Sequence, residues 1–253
     1  MEELYRYISE HSTKQSEALD WVERQTNIRT NHARMLSGAV QGQLMKMIVE
    51  MSGAKRVIEL GTFTGYSAIC LAQALPEDGH IDTLEINDEL EDLIVEGFER
   101  AGVNDKITLH IGDCKQTLAR FIEELDISCR ETSDISCGSD SSKQATLNTD
   151  CPSDSAVKDA FNVHQLYDIA YIDANKREYC EYYRLIKQLV RKGGYIIADN
   201  VLWSGKVCDD TSAKSNDRQT QGILEFNDMV AADPEVENVI IPLRDGMNLI
   251  RIL

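Results

Sequence analysis

The sequence predicts an α/β fold: a seven-stranded, mainly parallel sheet with helices on both faces and a C-terminal antiparallel hairpin. Three observations carry this. From about residue 56 onward, short β-branched runs alternate with longer helical patterns, the signature of βαβ units. The first run leads directly into the glycine-rich turn Gly61-Thr62-Phe63-Thr64-Gly65 and then a helix. The last two runs are joined by Arg244-Asp245-Gly246, a short loop with the Asp-Gly turn signal, which predicts a hairpin at one edge of the sheet.

In chain order, residues 1–55 read as helices, with Leu4, Tyr7 and Ile8, then Leu19 and Val22, then Leu44, Met47 and Ile48 on apolar faces. This segment is expected to cap the sheet or cover its functional edge. The expected strands are Arg56–Gly61, His80–Ile86, Ile107–Gly112, Tyr167–Ala174, Gly194–Asn200, Val236–Leu243 and Met247–Leu253. Lys176–Lys192 places Tyr179, Tyr183, Ile186 and Val190 on one helical face and is followed by Gly193-Gly194, a suitable C-cap. Right-handed crossovers are expected elsewhere, giving a single domain over residues 1–253. Residues 128–160 interrupt the pattern. Eight Ser, three of the seven Cys, many acids and few large apolar side chains cannot offset the entropy of ordering, so a mobile surface insertion is expected.

Composition narrows the function classes. The 253 residues carry 43 acids against 26 bases, a formal net charge of -17, which disfavours nucleic acid and anionic membrane surfaces as partners. At 42% hydrophobic with 4 Pro, the chain is of ordinary globular composition. No apolar run approaches membrane-spanning length and the acidic start MEELYRYISEHS is unlike a signal peptide, so a cytoplasmic location is expected. Seven Cys without a CxxC pair or a Cys/His cluster indicate neither a disulfide framework nor structural zinc, and Cys70 and Cys114 are expected to be packed thiols. None of the five His sits in a motif.

Chemistry concentrates at the carboxyl ends of the strands. The turn after the first strand is Gly-x-x-x-Gly, not the G-x-G-x-x-G that admits a pyrophosphate, which favours a nucleoside cofactor without one. Glu85 follows Gly61 by 24 residues and ends the second expected strand, where its carboxylate can accept ribose hydroxyls. Asp113 ends the third, beside an adenine pocket, and Glu59 lies inside the first. Each acid alone reads better as a surface or helix-capping residue than as a ligand contact. At successive strand ends they converge on one crevice. S-adenosylmethionine fits it: its ribose calls for carboxylate acceptors and its sulfonium tolerates acids.

Asp173 ends the fourth strand and Asp199-Asn200 the fifth. If those strands are neighbours, two carboxylates and an amide oxygen meet there, a hard donor set suited to Mg²⁺, Mn²⁺ or Ca²⁺, with Mg²⁺ taken as the physiological ion. On spacing alone, Asp173 could equally cap the next helix and Asp199-Asn200 shape a turn.

The motifs Glu59-Leu60-Gly61-Thr62-Phe63-Thr64-Gly65-Tyr66-Ser67, Tyr171-Ile172-Asp173-Ala174-Asn175-Lys176, Asp199-Asn200-Val201-Leu202-Trp203 and Asp245-Gly246 resemble the cation-dependent O-methyltransferases of the caffeoyl-CoA and catechol type. The resemblance runs from about Met35 to the end, interrupted by the insertion. It implies a Rossmann-like class I methyltransferase fold and a homodimer. It also implies S-adenosylmethionine contacts at Met35, Glu59, Gly61, Ser67, Glu85, Asp113 and Asp173, and metal ligands at Asp173, Asp199 and Asn200. Lys176 is implied as general base, although a Lys at a helix start is commonly solvated; a lysine beside a dication gives up its proton more readily. Trp203 is expected either to wall the acceptor pocket or to be a core aromatic. The implied acceptor is a small phenol or catechol whose adjacent oxygens chelate the metal.

Three other readings differ in partner or class. Bacterial relatives resemble methyltransferases of hydroxylated uridine in tRNA, against which the acidic balance counts. A non-catalytic S-adenosylmethionine or nucleotide-binding protein would lack a metal ligand or base, and none is lacking. A nicotinamide-dependent oxidoreductase is disfavoured by the glycine spacing.

Overall fold

In the computed structural model, residues 2–136, 166–208 and 217–253 are described. The strands β1 (Arg56–Leu60), β2 (His80–Glu85), β3 (Ile107–Ile111), β4 (Tyr167–Ile172), β5 (Val190–Asp199), β6 (Val236–Ile241) and β7 (Met247–Ile252) form one sheet, ordered β3-β2-β1-β4-β5-β7-β6. The first five run parallel, while β7 is antiparallel to both β5 and β6. The second strand of the hairpin therefore lies against β5, and β6 takes the edge. Strand order reverses between β1 and β4, which opens a crevice at their carboxyl ends.

Alternation along the strands divides the core into two layers. One face of the sheet, with Ile58, Leu60, Ala170, Ile172 and Ile196, meets α6 (Cys114–Ser136), α7 (Tyr179–Leu189) and α8 (Arg218–Ala231) through Leu118, Phe121, Tyr183, Ile186, Ile223 and Phe226. The other, with Val57, Ile81, Ile169 and Ile197, meets α2 (Glu17–Arg29), α3 (Gly38–Ser52), α4 (Tyr66–Ala74) and α5 (Glu91–Ala101). Local signals fix the helix ends. The Ser16 hydroxyl accepts from the Leu19 amide at the start of α2, Asp217 caps α8 through the Gln219 and Thr220 amides, and Gly53 and Gly102 close α3 and α5 in left-handed conformation.

Four expectations change. Gly193-Gly194 does not cap α7, which ends at Leu189 with Val190 already extended and paired to Tyr167. The pairing resumes at Ile169 with Tyr195, so the glycines form a bulge inside β5. There Gly193 takes φ +74° and a Cβ on Gly194 would lie 2.8 Å from the Asp168 carbonyl oxygen. In the first helix, α1 (Glu2–Glu10), Leu4 and Tyr7 remain 56% and 59% exposed rather than packed. In α3 the inward residues are Gln41, Gly42, Met45 and Val49, and Met47 is exposed; that helix is apolar around most of its girth, so periodicity did not single out a face. Helix α6 extends through Ser136, so the first residues of the expected insertion are helical, while residues 137–165 lie outside the described residues.

Candidate active site

Close backbone approach builds the site. The Gly61 and Thr62 amides donate to the Leu84 carbonyl, and the Asp173 amide donates to that of Leu60, all at 2.9–3.1 Å, tying the tips of β1, β2 and β4 together. Gly61 has φ +98°, and an added Cβ would sit 2.2 Å from the Asp173 carbonyl oxygen, so only glycine fits. Phe63 follows at φ +50°, and its amide donates to Glu85 Oε2 at 2.6 Å. Glu85 Oε1 accepts from the Asn87 amide at 2.9 Å. Burial raises the Glu85 carboxyl above its ordinary range.

Above these tips lies a cavity of about 670 Å³. Of the residues singled out in the sequence, Met35, Gly61, Ser67, Glu85, Asp113, Asp173, Lys176, Asp199, Asn200 and Trp203 all line it. Glu59 does not. It is fully buried behind the wall, where Thr83 Oγ1 donates to its Oε2 at 2.5 Å, and desolvation pushes its carboxyl up to about 7 against relief from the Ser67 and Thr83 hydroxyls. Asp113 serves both readings at once: it lines the cavity, and its Oδ1 accepts the Lys115 and Gln116 amides at the start of α6.

At the far end of the cavity, neighbouring strands β4 and β5 deliver Asp173 and Asp199 side by side. Lys176 is buried, not solvated, and its Nζ donates to Asp173 Oδ1 at 2.7 Å and to the Tyr179 hydroxyl at 2.6 Å. Tyr179 in turn donates to the Asp199 carbonyl at 2.9 Å. Asp199 Oδ2 accepts from Gln41 Nε2 at 2.5 Å and from the Tyr171 hydroxyl at 2.9 Å. Burial and then the Asp173 charge raise the Asp199 carboxyl to about 6. Asn200 sits at φ +59°, a left-handed conformation asparagine tolerates better than most residues.

The donor set of two carboxylates and an amide oxygen is hard, and the buried Asp199 charge is incompletely compensated, so the residues fit a divalent cation. Among the described residues, no group of three or more His, Cys, Asp and Glu side chains forms an alternative metal cluster.

Several functional neighbours were not singled out in the sequence. Gln41 lies 158 residues before the carboxylate it orients, and nothing local marks it. Tyr179 is marked in the sequence only as part of a helical face and Tyr171 only as part of a motif; a buried tyrosine hydroxyl still needs a partner, and that requirement was the available signal. Arg244, beyond its turn, donates to the Leu36 carbonyl at 2.6 Å.

The sheet order, the glycine turn and the acids at consecutive strand ends define the Rossmann-like fold of S-adenosylmethionine-dependent class I methyltransferases. A family model described as O-methyltransferase matches residues 9–135 and 151–253, and the chain belongs to that family. It is similar to tricin synthase 1 of Oryza sativa subsp. japonica, 32% identical over 220 residues, covering 86% of this chain and 74% of that protein. Caffeoyl-CoA O-methyltransferase 1 of Arabidopsis thaliana is 31% identical over 254 residues, covering 99% and 84%. Among solved structures, the O-methyltransferase of Bacillus cereus in complex with S-adenosylhomocysteine is 26% identical, with TM-score 0.74 over 98% of this chain and 96% of that one. TomG of Streptomyces achromogenes, in complex with S-adenosylmethionine, is 25% identical, with TM-score 0.74 over 97% and 94%.

Proposed function

We propose that this enzyme transfers the methyl group of S-adenosylmethionine to a phenolic hydroxyl of a small molecule bearing a second, adjacent oxygen, and that transfer depends on a divalent cation. The observation that carries this is that Asp173, Asp199, Asn200 and Lys176 line one cavity with Glu85 and Gly61, with Lys176 Nζ on Asp173 Oδ1 at 2.7 Å. The caffeoyl-CoA O-methyltransferases among its relatives favour a phenol with neighbouring oxygens.

Each residue has a task. Glu85, anchored by two backbone amides, keeps lone pairs for the ribose hydroxyls. Gly61 lets the backbone approach the cofactor, Ser67 and Met35 line the same cavity, and Asp113 is assigned to the base. Glu59 acts from behind, holding Thr83. Asp173, Asp199 and Asn200 would hold the cation, which when bound makes an acceptor hydroxyl easier to ionise. Lys176, as the neutral amine once its ammonium has given a proton to solvent, would take up the proton leaving that oxygen, held in place by Asp173 and Tyr179. Trp203 forms a wall that orients the acceptor ring and excludes water.

Asp199→Asn preserves volume and an acceptor for Gln41 and Tyr171 while removing the charge. It is expected to abolish turnover and to weaken Mn²⁺ binding in calorimetry on the order of tenfold or more, with S-adenosylhomocysteine affinity within about twofold of wild type. Full activity in EDTA would remove the cation from the mechanism.

A further inference from the structure

We propose that Arg244 is a positioning residue that latches residues 34–37 down over the cavity and slows the escape of the bound nucleoside. The inference rests on the reading that S-adenosylmethionine binds in this cavity. Arg244 belongs to the turn between β6 and β7, over 200 residues along the chain from the segment it grips. Its Nη1 donates to the Leu36 carbonyl at 2.6 Å and also to the Ser37 carbonyl, and its Nη2 reaches the Arg34 carbonyl at 3.5 Å. All four residues line the cavity, as does Met35 between them.

Two local penalties make this placement informative. Arg244 sits at φ +51°, a left-handed conformation in which glycine is the unstrained residue. Its guanidinium also lies beside Gly38, the first residue of α3, with Nη1 3.7 Å from an ideal Cβ there; a helix N-terminus disfavours a cation. The charge-assisted bonds to the Leu36 and Ser37 carbonyls offset both.

The same turn secures the opposite wall. Asp245 Oδ1 accepts from the Ser204 amide, and the Asp245 and Gly246 carbonyls accept from Leu202 and Val201 at 2.8 and 3.1 Å. The first residue of β7, Met247, pairs with Asp199. One turn thus fixes the loop that carries Asn200 and Trp203 and, through Arg244, the segment that faces it. The latched segment joins α2 to α3 and holds only a three-residue turn of its own, Ala33–Met35, with Met35 56% exposed. Its position over the cavity is therefore set from outside.

Arg244→Gly suits the backbone conformation, so it removes the guanidinium while keeping the fold. Stopped-flow tryptophan fluorescence with S-adenosylhomocysteine is expected to give a dissociation rate faster on the order of tenfold, with thermal stability at or above that of wild type. Arg244→Lys, which keeps the charge but not the fork, falls between the two. Trypsin cleavage after Arg34 in the free protein is faster in Arg244→Gly. Wild-type dissociation in Arg244→Gly, alongside weakened binding in a Glu85→Ala control, overturns the latch alone. Undiminished binding in Glu85→Ala overturns the placement of the nucleoside in this cavity, and the latch with it.

Discussion

At the scale of single residues, the site is a set of buried charges held by hydroxyls and amides. Lys176 is 7% exposed and shares its ammonium between Asp173 and Tyr179, so its position is fixed before any acceptor arrives. Lys176→Met keeps the hydrocarbon length and loses the nitrogen; kcat is expected to fall by about 100-fold or more, with S-adenosylhomocysteine affinity changed less than about threefold. An unchanged kcat and pH profile would assign the proton to another group. Glu59 offers a different measurement. Its carboxyl titrates near 7 in the folded protein against 4.5 unfolded, so between these values the native state binds more protons than the unfolded one. Stability therefore falls as pH rises from about 4.5 to 7, by on the order of 3 kcal/mol from this group. Glu59→Gln should flatten that slope in urea melts at successive pH values; an identical slope would show that the buried acid carries no such penalty.

At the scale of elements, function depends on how closely strand tips approach. The β1–α4 turn crosses the start of the β4–α7 connection with no room for a side chain at Gly61. Gly61→Ala must displace the Asp173 backbone and adopt a positive φ, which is expected to cost at least about 2 kcal/mol in denaturant unfolding. It should also weaken S-adenosylhomocysteine and Mn²⁺ binding together, since one movement disturbs both ends of the cavity. Wild-type affinity for both ligands in a folded Gly61→Ala variant would contradict this coupling.

At the scale of the whole molecule, a net charge of -17 sets the approach of substrates. If the acceptor of the proposed reaction is an anionic thioester such as caffeoyl-CoA, it meets a repulsive field that salt screens, with a Debye length of about 30 Å at 0.01 M and about 8 Å at 0.15 M. Its kcat/KM should rise severalfold between those ionic strengths, while a neutral catechol's should hardly change. Falling kcat/KM for the thioester would indicate a local cationic approach that overrides the net charge.

The sequence by itself determined the sheet, its hairpin and the acids at the strand ends, because short β-branched runs, glycine turns and helix caps are local signals that short-range sterics and solvation enforce. Glu85, Asp113, Asp173, Asp199 and Asn200 were legible because each ends, or closely follows, a readable strand, whereas Lys176 was marked by the motif that resembles the family. The β5 bulge was not legible, since a glycine pair after an apolar helix looks the same whether it caps the helix or widens a strand. Only the tertiary structure decided that Gln41 and Tyr171 orient Asp199, that Glu59 lies behind the wall and not in the cavity, and that Arg244 reaches back to Leu36 and Ser37. These partners are far apart along the chain. Their meeting follows from how helices pack on the two faces of the sheet, and no local pattern encodes that packing.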